Sequence, residues 1–263
     1  MTVPAQRTSS PAPGRSAFRQ LLAGDGPAAL GAAAATVIVE MAVYVLARAL
    51  GAPLALAALA ALAACTVWVA LASAAWAAAA KATLGALLRG GVVADASGVT
   101  LLVLAGISPH VTLLAALKVY CALAATALFA IALVCCGSRR PGRCGAAVAA
   151  ACVLAAALGT PLWTGGLLAL GGQEAKQAAV AWAVYANPFY SVTAAVVERT
   201  RFVWHQAPVM YNITRIGDYA SPPPTPWWAA AAIYAGAACV IAAAKLLISR
   251  LRRSSPGRPI RGT

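Results

Sequence analysis

Glu40 is the residue most able to do chemistry, because it is an acid inside the apolar run Ala28 to Leu50. An ionised carboxylate at the centre of a bilayer costs at least a few kcal/mol, so Glu40 is expected to face protein or water rather than hydrocarbon. Two readings stay open. Glu40 is a proton-sensitive group on a polar path, or it packs helices together, paired with Lys118 or held as a protonated carboxyl. No second intramembrane carboxylate follows it along the chain.

The other reactive side chains are sparse. His110 and His205 are the only histidines, and His205 shares its segment with Glu198, Arg201 and Asp218. General acid–base catalysis needs a nucleophile and an orienting partner as well, and this spacing specifies neither. The same segment carries Trp204, Tyr211 and Tyr219, which suit an anchor at the headgroup layer. Cys65, Cys121, Cys152 and Cys239 lie in apolar runs, where cysteine acts as a small hydrophobe. Cys135, Cys136 and Cys144 flank the basic break Arg139–Arg143, without a nearby histidine or a fourth ligand. The reading therefore expects no metal, no cofactor and no catalytic residue. No G-x-x-x-x-G-K-[ST] loop is present to cradle nucleotide phosphates.

The elements that must position these residues follow from composition. Of 263 residues, 62% are hydrophobic and 10% charged, with a mean hydropathy of +0.81. A soluble domain carries roughly a quarter charged residues, so this chain has too little polar surface for water and suits a bilayer. The net charge of +14 sits at the two ends and in short breaks between apolar runs. That layout fits membrane orientation, whereas nucleic-acid binding would need a basic face.

A span needs about 20 apolar residues. Six candidates are read: Ala28 to Leu50, Leu54 to Ala80, Val111 to Cys136, Gly145 to Leu170, Gln177 to Val197 and Trp227 to Ser249. The fourth is expected to bend at Pro161 and Gly165-Gly166, and the fifth to divide at Asn187-Pro188. Asn187 suits an N-cap and Pro188 a first helical position. Between the second and third candidates, Arg89, Gly90, Gly91, Asp95, Ser97 and Gly98 break the pattern. Thr100 to Ile107 then reads as a short helix that cannot span, stopped by Ser108-Pro109.

The expected fold class is thus an all-α, polytopic membrane protein of about six transmembrane helices, with a short cytoplasmic interfacial helix and an outer re-entrant or interfacial segment. Residues 1–27 read as a disordered basic tail, 28–249 as the transmembrane domain, and 250–263 as a second basic tail. Arginine at both tails places both in the cytoplasm of an inner membrane. This count leaves Arg139, Arg140 and Arg143 outside, against the charge bias.

Two motifs suggest a family. Gly98-Val-Thr-Leu-Leu-Val-Leu-Ala-Gly-Ile-Ser-Pro109 precedes an apolar helix with Lys118, and Ala186-Asn-Pro-Phe-Tyr-Ser-Val192 precedes a polar segment and the last span. In this order they resemble the type-2 ABC exporter permeases. The resemblance implies a docking helix for a separate ATPase subunit, formed by Thr100, Leu101, Leu102, Leu104, Ser108 and Pro109. It implies an outer-face helix at Asn187, Pro188, Phe189 and Tyr190, and two protomers, the partner being itself or a related permease. Membrane lipids would surround it. A membrane scaffold without transport and a membrane enzyme acting through the outer 198–219 segment are the alternatives.

Overall fold

Alanine and leucine lose little on entering a helix and offer no polar group to compete with the backbone, so these runs form long helices. The computed structural model describes residues 13–137, 140–160, 173–196 and 226–254. Among them lie eight helices: α1 Pro13–Ala49, α2 Leu54–Ala78, α3 Thr83–Ile107, α4 Leu113–Cys136, α5 Arg140–Leu158, α6 Gln173–Ala186, α7 Pro188–Ala194 and α8 Ala229–Ser254. Six are long and apolar enough to cross a membrane: Gly26–Ala49, Leu54–Ala78, Thr83–Ile107, Leu113–Cys136, Pro141–Leu158 and Ala229–Leu251. The chain is a polytopic helical membrane protein.

The number of spans agrees with the sequence reading, but their identities differ. Residues 83–107 form one continuous 25-residue helix, so Thr100 to Ile107 is its C-terminal part and not a separate interfacial helix. Several of the residues read as breakers meet a neighbour instead. A Cβ on Gly90 would lie 2.6 Å from Ile131 Cγ1 and 2.9 Å from Ser73 O, so glycine there permits close packing of α3 on α2 and α4. Asp95 is therefore a second carboxyl within a span, against the sequence expectation of none; it accepts a 2.7 Å hydrogen bond from the Tyr120 hydroxyl, and Gly98 lies against the Tyr120 ring. A membrane helix tolerates such residues where neighbouring helices accommodate them.

Conversely, Gln177 to Val197 is not a span. It holds α6 and α7, of 14 and 7 residues, divided at Asn187. Helix also begins earlier than the first apolar run, at Pro13, within the segment read as a disordered tail. The last helix likewise continues to Ser254, into the second tail. Pro161, Gly165-Gly166, His205 and the rest of 197–225 lie outside the described residues.

The new set of spans gives the bundle two distinct ends. α2 and α4 both finish where α3 and α5 begin, and this end is basic. Arg143, buried at the start of α5, donates a 2.7 Å hydrogen bond from Nη1 to Ala80 O, just past the end of α2. Lys245 Nζ on α8 donates to Cys135 O at the end of α4. Cations at helix C-termini satisfy orphan carbonyls and oppose the negative end of the helix dipole. α8 runs parallel to α4, because Lys118 meets Trp227, Phe129 meets Tyr234 at 5.2 Å between ring centroids, and Cys135 meets Lys245. The start of α5, with Arg140 and Arg143, therefore shares an end with Arg250 of α8, which removes the charge conflict left by the sequence reading. The far end carries Gly51, Ser108-Pro109, α6 and α7.

The main core joins α2, α3, α4 and α7 through Leu59, Leu62, Val69, Val93, Leu101, Val119, Leu123, Phe189 and Val192. A second cluster packs α4, α5 and α8 around Ile131, Leu154 and Tyr234.

Candidate functional site: a carboxyl buried between three spans

Glu40 falls near the middle of α1's span, and Ser97 near the middle of α3's. Continuity of α3 through Asp95 and Gly98 is what carries Ser97 to this depth. Glu40 is 0% exposed, turned inward and away from lipid. The Ser97 hydroxyl donates to Glu40 Oε1 at 2.5 Å, and Ser97 Oγ also lies 3.1 Å from Val93 O. One hydroxyl hydrogen cannot serve both acceptors fully. A proton on Glu40 would let the carboxyl donate to Ser97 Oγ and leave the hydroxyl hydrogen for Val93 O.

The second carboxyl oxygen, Oε2, is buried and has no hydrogen-bond partner. Thr100 of α3 and Cys65 of α2 face the carboxyl closely enough to interact with it, without completing that bond geometry. Three helices thus converge on one acid. Lys118 does not supply the expected countercharge: its Nζ sits 5.8 Å from the centre of the Trp227 ring, on the α8 side of α4. An uncompensated charge at this depth is expensive, so the arrangement suits a neutral carboxyl rather than a fixed ion.

The surroundings are polar but quiet. Thr36, one turn before Glu40, donates to Ala32 O and accepts from Trp68 Nε1 at 2.9 Å. Thr66 and Thr126 each donate to the carbonyl one turn back, at 2.7 and 2.9 Å. Such bonds satisfy a buried hydroxyl within its own helix. Glu40 differs in being a buried carboxyl, with one oxygen bonded across to α3 and the other left over.

The residues read as a docking helix are divided by α3. Thr100, Leu101, Leu104 and Ser108 are buried, while Leu102 and Pro109 are exposed. Leu101 belongs to the main core, and Leu104 packs with Tyr44, Ala57 and Ala61. Ser108 Oγ accepts from His110 N at 3.4 Å in the turn that leads to α4.

At the far end, Asn187 caps α7 as its sequence suggests. Its Oδ1 accepts from Phe189 N at 2.9 Å, and Nδ2 donates to Leu158 O at 3.2 Å and Thr160 Oγ1 at 3.1 Å. Pro188, Phe189 and Tyr190 are buried behind it, with Phe189 in the main core. The Tyr234 hydroxyl donates to Ala186 O at 2.7 Å, and Ala230 N donates to Ser191 Oγ at 3.1 Å. α6 and α7 are thus two short helices that meet at Asn187-Pro188 and pack beside the start of α8.

Ser97, Thr100 and Cys65 as partners of Glu40, and Arg143 and Lys245 as helix caps, were not legible from spacing. The one available signal was that Glu40 and Ser97 sit at matching depths, which requires knowing that residues 83–107 span. Family models, curated proteins and solved structures give no match to this chain, so its function must be argued from its own geometry.

Proposed function

We propose that this chain is the membrane-spanning subunit of an ATP-driven exporter, powered by a separate ATPase and seated in a bacterial-type inner membrane with both ends cytoplasmic. The observation that carries the reading is the pair of short helices α6 and α7, with the Asn187-Pro188 cap between them, lying between the fifth and sixth spans at the end opposite the basic cluster. The resemblance to type-2 ABC exporter permeases calls for an Asn-Pro helix at that point in the order of elements. Lys81, Arg143, Lys245 and Arg250 gather at the other end, where positive charge favours the cytoplasm. The chain lacks a nucleotide-binding loop, so work must come from a partner.

This orientation moves the docking surface. Ser108-Pro109 then faces outward, and the cytoplasmic surface offered to an ATPase consists of the turn at 79–82 and the start of α5, beside the end of α8. The test combines topology with capture. Reporter fusions after Gly137 and at Thr263 should read cytoplasmic, and one after Pro109 periplasmic. Lys81→Glu should reduce co-purification of the ATPase at least tenfold while Leu102→Asp leaves it unchanged. A cytoplasmic signal after Pro109, or loss of capture by Leu102→Asp alone, returns docking to the Thr100–Pro109 segment. An assembly subunit without transport is the second reading, favoured by the complete enclosure of Glu40. Substrate-independent ATPase capture with no transport in proteoliposomes would select it.

A further inference from the structure

Apart from the core, one concave apolar surface stands out on the described part of the molecule. α6 and α8 touch through the Tyr234–Ala186 hydrogen bond and diverge beside it. The groove between them has a volume of about 350 Å³ and is lined almost wholly by apolar atoms. Ala178, Trp182 and Tyr185 of α6 form one wall, and Trp228, Ala232 and Ile233 form the other. Trp182 is 70% exposed and Trp228 55% exposed, large for side chains of this size unless something apolar covers them.

The groove's setting narrows the occupant. It opens at the start of a spanning helix, at the level where tryptophan and tyrosine ordinarily meet the headgroup layer. A volume of 350 Å³ falls at the lower end of the roughly 300–1,000 Å³ range of ligand pockets. Next to it, Trp227 adjoins groove residue Trp228 in sequence and carries Lys118 Nζ 5.8 Å from its ring centre. Lys118 is half-buried and has no ion pair among the described residues. An apolar slot one residue from the tryptophan that carries Lys118 matches a molecule with an acyl chain and an anionic head.

We infer that the α6–α8 groove binds one acyl chain of an anionic phospholipid, with Lys118 drawing the phosphate to the mouth beside Trp227. The site does not depend on the exporter reading, since it needs only the bilayer. It couples the lipid to the junction of α6 and α7, because α6 forms one wall of the groove and leads into Asn187.

The test uses the full-length protein in nanodiscs of phosphatidylcholine, doped with phosphatidylglycerol or phosphatidylcholine probes that carry a photoactivatable group on the same acyl chain. Crosslinks should map to the peptides holding Trp182 and Trp228, with the anionic probe favoured about fivefold, the factor one lysine supplies near an anionic surface. Lys118→Gln should abolish the preference and leave the neutral probe's labelling unchanged. Ala232→Phe, an exposed position on the groove wall, should fill the slot and remove labelling of both probes at an unchanged melting temperature. Labelling spread evenly around the bundle, a headgroup preference that survives Lys118→Gln, or crosslinking of the groove to a second protein copy would each overturn the assignment. If Ala232→Phe unfolds the protein, Ala178→Phe on the opposite wall gives the same readout.

Discussion

Two buried polar side chains, Glu40 and Asn187, are both sealed from solvent yet are equipped differently. Asn187 makes three side-chain hydrogen bonds, to the backbone of α7, to the end of α5 and to Thr160. Glu40 has one bonded oxygen and one without a partner, among three helices and with no countercharge from Lys118. A buried polar group with its bonds completed holds a structure together, whereas one left incomplete costs stability and calls for another explanation. The bonds of Asn187 hold α7 against the end of α5. Glu40 is placed where a proton would change the bonding between α1 and α3.

The comparison predicts separable effects. The largest on stability belongs to Asn187→Ala, which removes the cap of α7 and strands the α5 end. A loss of about 2–4 kcal/mol is expected from a cap plus two severed buried bonds. It should appear as a lower melting temperature in detergent and as protease cleavage near α6. An unchanged melting temperature would show that α7 is held mainly by Phe189 and Val192.

Gly90→Ala comes next and bears on Glu40 from a distance. Its Cβ would collide with Ile131 and with the backbone oxygen of Ser73, and overpacking of this kind costs about 1–3 kcal/mol. Displacing α3 would also pull Ser97 from Glu40. Cysteine pairs introduced across α1 and α3 near these residues should then crosslink more slowly than in the parent. If their rate is unaffected, α3 accommodates the methyl without moving.

Glu40→Gln and Glu40→Leu should change stability least, by less than about 1 kcal/mol, since the second replaces an incompletely bonded acid with a hydrophobe of similar volume. Ser97 would keep its contact with Val93 O in either case. Both variants should reach normal membrane levels and lose export, which separates a proton-handling role from a packing role. Full activity in Glu40→Gln would make Glu40 a packing residue like Asn187, and the distinction between the two sites would fail.

Much of this was legible in the sequence. The 62% hydrophobic content decided the solvent, and the apolar runs decided most of the spans, because a backbone without water must bond to itself. Asn187-Pro188 announced its own cap and helix start, since both preferences act within a few residues. Glu40's inward orientation followed from the cost of exposing an acid to lipid. Residues 83–107 were different: whether Gly90, Asp95 and Gly98 end a helix or sit inside one depends on what packs against them. Ile131, Ser73 and Tyr120 answer that question from other helices. Once α3 is a span, the basic turn before α5 joins the basic end, and Ser97 reaches Glu40. Local preference and hydropathy are properties of a segment, so the sequence determined them alone. The pairing of Glu40 with Ser97, of Arg143 with Ala80 and of Lys245 with Cys135 joins residues 57, 63 and 110 positions apart, and only the packed bundle could decide it.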